Sequence, residues 1–66
     1  MKNLLKVERA KMNITQADLA NEIGVSRQTI NAIETGKFVP STILALKLSK
    51  YFSAKVEDVF ILDDED

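Results

Sequence analysis

The chain has 66 residues, 45% of them hydrophobic, and a net charge of −1 at pH 7, which allows one small domain with one core. It contains no cysteine and no histidine, which excludes disulfides, thiol catalysis, imidazole acid–base chemistry and nearly all zinc sites. No apolar run approaches the roughly 20 residues of a membrane span, and the N-terminus lacks the apolar core and cleavage site of a signal peptide. We therefore expect a cytoplasmic protein with no metal, no cofactor and no membrane partner.

The first two helices are predicted on either side of a short turn. Helix 1 is expected from about Asn3, its N-cap, to Met12. Asn13 follows, and asparagine tolerates the left-handed conformation that ends many helices. Helix 2 is expected to begin after Thr15, which stands three residues before Asp18, the spacing of a capping box.

Residues 16–35 contain two short amphipathic segments on either side of Gly24. In each segment, apolar residues recur three or four positions apart, as on one face of an α-helix (Leu19 and Ile23; Ile30 and Ile33). Gly24 can adopt a positive φ in a sharp turn, and Ser26 can cap the second helix. The pattern predicts a helix-turn-helix whose second helix runs from Arg27 to about Thr35 and is ended by Gly36.

Polar side chains with a capacity to read bases crowd the start of this second helix. They are Arg27, Gln28, Thr29 and Asn31. Arginine pairs bidentately with guanine, and glutamine or asparagine with adenine. We interpret the four as base-reading residues in the DNA major groove. The alternative is an ordinary solvated helix surface.

Two further helices are predicted in the C-terminal half. Helix 4 follows Pro40 and Ser41, because proline cannot continue a helix and serine caps a new one; its apolar stripe is Leu44, Leu48 and Tyr51/Phe52. Helix 5 is expected over about residues 56–60, with Val56, Val59 and Phe60 inward. The segment Ile61–Leu62 can form a short strand if the N-terminus meets it. The predicted fold class is all-α, a compact five-helix bundle.

Charge is distributed unevenly along the chain. Residues 1–55 hold nine basic and four acidic residues, a net charge of +5, whereas residues 56–66 hold six acidic residues and no basic one. The basic part suits a polyanion, and the acidic end would be repelled by one. We divide the chain into a DNA-binding domain, residues 1–62, and an acidic tail, residues 63–66. We expect the tail to be disordered and to lie away from DNA; a docking segment for a basic partner is the alternative.

The chain resembles the lambda-type phage repressor and Cro-like family, also called the xenobiotic-response-element family. The segments that carry the resemblance are TQADLA (15–20), IGVSRQTINAIETGK (23–37) and VPSTILALKLSKYF (39–52). The resemblance implies a compact five-helix repressor/Cro-like fold and a sequence-specific DNA-binding regulator. It is strongest toward small stand-alone regulators of bacteria and archaea.

The resemblance also implies roles for residues outside the base-reading set. It implies that DNA phosphates are contacted by Gln16, Ser26, Thr35 and Lys37. Gln16 would also support helix 3, and backbone N–H groups near Thr35–Gly36 would help to bind phosphate. Arg9 and Glu34 are expected to form a shielded, structural ion pair that fixes the recognition helix. The alternative is that Gln16 and Lys37 are ordinary surface side chains and that Arg9 and Glu34 are exposed charges.

These observations predict a homodimeric transcriptional regulator, expected to be a repressor, that binds double-stranded DNA at a pseudo-palindromic operator. One helix reads few base pairs, and two-fold pairing would place half-sites about 34 Å apart. Ile61 and Leu62 have no evident place in the core, so they are the predicted dimer interface.

Three other classes of protein remain as alternatives. An antitoxin would add a toxin or another protein as partner, but only the acidic end is free to bind one. A protein-interaction module without DNA binding is disfavoured by the polar residues of helix 3. An enzyme is disfavoured because the carboxylates show no metal-ligand pattern and no glycine-rich loop is present.

Overall fold

Five α-helices and one pair of two-residue strands make up the fold, as a computed structural model of residues 1–66 shows. The elements are β1 (Lys2–Asn3), α1 (Leu5–Met12), α2 (Gln16–Ile23), α3 (Arg27–Glu34), α4 (Thr42–Tyr51), α5 (Val56–Val59) and β2 (Phe60–Ile61). The predicted five-helix, all-α fold with a short C-terminal strand is confirmed. None of the helices is both long and apolar enough to cross a membrane.

The core gathers one or two side chains from nearly every element. Its buried members are Leu5, Leu19, Ala20, Ile30, Ile33, Leu48, Val59 and Phe60. The helix-turn-helix supplies four of these eight, because α2 and α3 each turn one apolar face inward. The opposite face of α3, which includes Arg27, Gln28 and Asn31, is exposed.

Side-chain caps begin α2 and α3, and the left-handed residues Asn13 and Gly24 end α1 and α2, where the sequence predicts. Thr15 Oγ1 accepts from the Asp18 N–H, the Asp18 carboxylate accepts from the Thr15 N–H, and Ser26 caps α3 by accepting from the Thr29 N–H. The hydrogen bonds from Thr15 lower the pKa of Asp18. Gly24 has a φ of 86°, which only glycine adopts without cost, so the turn between α2 and α3 depends on it.

The prediction that Asn3 caps helix 1 is wrong. The helix begins at Leu5, with Leu4 in the capping position, and Asn3 lies in β1. β1 pairs antiparallel with β2, in the register Lys2 with Ile61 and Asn3 with Phe60. The strand thus begins one residue earlier than the predicted Ile61–Leu62, and Phe60 leaves α5 to join it. Pairing between distant chain ends cannot be deduced from local helix propensity.

The acidic end folds back on the N-terminus, unlike the disordered tail that we expected. The Met1 ammonium lies 3.0 Å from a carboxylate oxygen of Asp63 and 3.2 Å from one of Asp66. The Asp63 N–H donates to Asp66 Oδ2 at 2.8 Å, which closes a turn. Hydrogen bonds to these carboxylates raise the pKa of the Met1 ammonium, and hydrogen bonds from the Asp63 N–H and the ammonium lower the pKa of Asp66.

Candidate nucleic-acid interface

Two long polar side chains at the start of α3 are free of internal partners. Arg27 and Gln28 directly follow the capping Ser26; both are exposed, and neither side chain makes a hydrogen bond within the protein. Arg27 lines an open hollow of about 560 Å³ together with Gln16, the first residue of α2, and Thr15, the N-cap of that helix. These two side chains can therefore turn toward a ligand without breaking an existing contact.

The other two predicted base-reading residues are already engaged. The Thr29 hydroxyl lies 2.9 Å from the Ser26 hydroxyl in the first turn of α3. Asn31 is exposed, but its Oδ1 accepts from Gln16 Nε2 at 3.1 Å. Asn31 keeps its own amide N–H groups available as donors. The structure thus distinguishes a free pair, Arg27 and Gln28, from a pair whose positions are fixed by neighbours.

Gln16 connects the two helices of the helix-turn-helix. It is the first residue of α2, and its Nε2 donates both to Asn31 and to Glu34 Oε1, the latter at 3.2 Å. The side chain therefore spans from the N-terminal end of α2 to two successive turns of α3. Such a bridge fixes the distance between the α2 N-terminus and the polar face of α3.

Arg9 and Glu34 form a bidentate ion pair between α1 and the end of α3. Arg9 Nε lies 2.6 Å from Oε2 and Nη2 lies 3.0 Å from Oε1, while Nη1 donates to the Ile14 carbonyl. The exposed fractions of the side chains are only 15% for Arg9 and 5% for Glu34. Burial alone would raise the pKa of Glu34, but the hydrogen bonds from Arg9 and Gln16, with the charges of Arg9 and Lys6, outweigh it and hold that pKa below its ordinary value.

The turn after α3 uses its own backbone donors. Gly36 has a φ of 78°; its N–H donates to the Ile33 carbonyl and the Lys37 N–H to the Ala32 carbonyl, the two bonds of a Schellman motif. The Thr35 N–H and hydroxyl both donate to the Asn31 carbonyl. The backbone N–H groups that the resemblance assigns to phosphate are therefore already engaged, which leaves the exposed Lys37 ammonium as the free cationic donor of this turn.

The predicted dimer residues lie at the surface on and after β2. The exposed fraction is 40% for Ile61 and 75% for Leu62, whereas their neighbour Phe60 is buried. Other large apolar side chains are exposed elsewhere, notably Val39, Ile43 and Leu46 around α4.

Comparison with known proteins agrees with this arrangement of helices. The sequence profile of the helix-turn-helix family matches residues 5–59. The chain belongs to this helix-turn-helix family. It is 58% identical, over the full length of both chains, to an uncharacterized HTH-type transcriptional regulator of Methanocaldococcus jannaschii. It is 52% identical to the HTH-type transcriptional regulator YgzD of Bacillus subtilis over 98% of each chain, and 48% identical to an Archaeoglobus fulgidus regulator over 100% of this chain and 93% of the relative.

Within this helix-turn-helix protein, one polar contact of α3 was not predicted from the sequence. Asn3 Nδ2 donates to the Ile33 carbonyl at 2.8 Å, across 30 positions of the chain. The assignment of Asn3 to a helix cap concealed it, because the amide oxygen does accept from the Leu5 N–H as a cap would. A strand pairing of the two termini was the one signal that pointed to this position.

Proposed function

We propose that this protein is a transcriptional regulator that binds double-stranded DNA by placing the N-terminal end of α3 in the major groove. The observation that carries the proposal is the pair of exposed, unpartnered side chains, Arg27 and Gln28, on the first turn of a helix whose other face is buried at Ile30 and Ile33. Arginine and glutamine have the donors and acceptors that distinguish guanine and adenine in that groove. Membership of the helix-turn-helix family, and relatives that are named HTH-type transcriptional regulators, support the same conclusion.

Base reading is divided between free and supported residues in this proposal. Arg27 and Gln28 contact base edges directly. Asn31 reads a base through its amide N–H groups while Gln16 holds its oxygen, and Thr29 contributes a hydroxyl or methyl contact from its capped position. Because Gln16 fixes Asn31, a base opposite Asn31 meets a side chain with restricted rotation, which lowers the entropic cost of the contact.

Phosphate contacts flank the base-reading residues. We assign them to Gln16 and Ser26 at the N-terminal ends of α2 and α3, and to Thr35 and Lys37 at the far end of α3. Helix N-termini attract anions because their N–H groups point outward and the helix dipole is positive there. The net charge of +5 on residues 1–55 supports binding to a polyanion despite the pI of about 5.3 of the whole chain.

The regulator acts as a homodimer and a repressor in this proposal. Two copies related by a two-fold axis would present two α3 helices to successive major grooves, about 34 Å apart. Ile61 and Leu62 supply the apolar part of the interface, which is the same patch on both copies in a symmetric dimer. Repression by occupying a promoter requires no catalytic group, so the proposed function includes no enzymatic step.

Selection of bound sequences from random double-stranded DNA tests the proposal. We expect a pseudo-palindrome whose half-sites are separated by one helical turn. Affinity for the selected DNA should fall steeply with salt: the logarithm of the affinity, plotted against the logarithm of the salt concentration, should have a slope of about −0.9 per neutralised phosphate. Recovery of no preferred sequence would contradict base reading by α3, and a single half-site would contradict the dimer.

A further inference from the structure

A single side chain, that of Asn3, forms a hydrogen bond between the N-terminal segment and α3. Asn3 Nδ2 donates to the Ile33 carbonyl at 2.8 Å, and no other hydrogen bond joins residues 1–4 to α3 or to the turn that follows it. An open hollow of about 320 Å³ separates the rest of the two segments, with Met1, Lys2 and Asn3 on one side and Glu34, Thr35 and Gly36 on the other. The Asn3 amide therefore connects the two segments beside this hollow.

The carbonyl that Asn3 contacts belongs to the turn that ends α3. The same Ile33 oxygen accepts from the Gly36 N–H at 3.0 Å, one of the two hydrogen bonds of the Schellman motif. A carbonyl oxygen has two lone pairs, so Asn3 and Gly36 can both be satisfied. Asn3 thus holds the acceptor around which Thr35, Gly36 and Lys37 turn.

Asn3 is itself fixed from two other directions. Its Oδ1 accepts from the Leu5 N–H at 3.2 Å, and its backbone pairs with Phe60 in the two-stranded sheet. The next residue continues the connection, since the Leu4 N–H donates to the Val59 carbonyl at 2.8 Å. The side chain that reaches α3 therefore starts from backbone that is tied to the C-terminal part of the core.

We propose that Asn3 is a positioning residue for DNA binding, which sets the orientation of the turn after α3 so that Lys37 meets a phosphate. The inference rests on the proposed function, since it assumes that this turn faces the DNA backbone. Because the N–H groups of the turn are engaged internally, the Lys37 ammonium is the donor that this turn can offer to a phosphate. Phosphate binding at the turn therefore depends on where the ammonium lies. The internal hydrogen bonds of the turn connect it only to α3, whereas the bond from Asn3 also connects it to β1.

Two substitutions of Asn3 distinguish its two hydrogen bonds. Asn3→Ala removes both, whereas Asn3→Ser keeps an oxygen within reach of the Leu5 N–H and is too short to reach Ile33. Asn21→Ala is the matched control, because Asn21 is an exposed asparagine in α2 that makes no side-chain hydrogen bond. DNA affinity is measured against salt on the sequence that the protein itself selects and on random DNA, at a temperature where every variant is fully folded.

We expect both Asn3 variants to bind three- to tenfold more weakly, about the ratio that corresponds to one net hydrogen bond, on selected and random DNA alike. The salt slope, which is the slope of log affinity against log salt concentration, should decrease in magnitude by about one unit per bound α3 helix, as for one lost phosphate contact. In a Lys37→Ala background, Asn3→Ala should weaken DNA binding little further, because both changes remove the same phosphate contact. A role confined to stability would lower the melting temperature and leave the salt slope unchanged.

Three results would overturn the inference. They are an Asn3→Ser variant with the affinity and salt slope of the unsubstituted protein, additive effects of Asn3→Ala and Lys37→Ala, or a Lys37→Ala variant with unchanged binding. In each case Arg27→Ala would still relax sequence preference, so the proposed function would stand. Failure of the unsubstituted protein to select any sequence would instead refute the proposed function and the inference together.

Discussion

The ion pair between Arg9 and Glu34 should be the most sensitive polar contact of the fold. Its two N···O distances are 2.6 and 3.0 Å and the Glu34 side chain is 5% exposed, so Glu34→Ala leaves the Arg9 guanidinium without a counter-ion. Removing one partner of a buried pair costs about 3–5 kcal/mol. We expect about 3 kcal/mol, the lower end, because Arg9 keeps 15% of its side chain exposed and retains the Ile14 carbonyl. For a domain of this size that corresponds to a fall in melting temperature of about 12–24 °C.

A neighbouring ion pair on the same helix provides the control. Lys11 lies 2.9 Å from Glu8, but its side chain is 67% exposed, so Lys11→Ala should cost less than about 1 kcal/mol. Urea and thermal unfolding, followed by circular dichroism, give both values. The double variant Arg9→Met/Glu34→Leu should recover part of the loss, because an apolar pair removes the buried charge altogether. Equal costs for Glu34→Ala and Lys11→Ala, or a double variant that loses the sum of the single losses, would refute the argument.

Four further predictions concern pH, the helix bridge, the dimer and the tail. Because the folded-state pKa of Glu34 lies below its ordinary value of 4.5, its stabilising contribution is present above that pH and lost as pH falls through the folded-state pKa; urea titrations should show this loss, and Glu34→Gln should flatten it. Gln16→Ala should weaken binding to selected and random DNA alike in a filter-binding or anisotropy assay, and a loss confined to the selected sequence would show that Gln16 acts only through Asn31. Replacing Ile61 and Leu62 with lysine should give folded monomers by sedimentation and circular dichroism, and a double variant that stays dimeric would move the interface elsewhere. Deleting Asp63–Asp66 should leave DNA binding equal or slightly tighter at low salt, with the difference vanishing at high salt; weaker binding would contradict a merely repulsive tail.

The helix-turn-helix was predictable because its signals are local. Gly24, the capping box at Thr15 and the cap at Ser26 each act within four residues, and the structure has each of them as the sequence indicates. The inward faces of α2 and α3 follow from helical periodicity alone. The position of Arg27 and Gln28 on the outer surface is then a consequence of geometry.

The remaining features depend on contacts between distant parts of the chain. Asn3 was assigned to a cap because its oxygen does serve the Leu5 N–H, and only the pairing with Phe60 shows that it belongs to a strand. The sequence predicts a disordered acidic end, since no local pattern in residues 63–66 indicates that the Met1 ammonium is their partner. Ser53 adopts a left-handed φ of 53° after α4. This conformation is uncommon for residues other than glycine, so the presence of a serine does not predict it.

The most direct test of the account compares Arg27→Ala and Gln28→Ala on selected and random DNA. We expect each substitution to cost about 1–3 kcal/mol of binding free energy on the selected sequence, to relax the preference at the base that the residue reads, and to change binding to random DNA little. Melting temperatures should stay near that of the unsubstituted protein, because neither side chain has an internal partner. Equal losses on both kinds of DNA would show that these residues contact only phosphates and would contradict major-groove reading by α3.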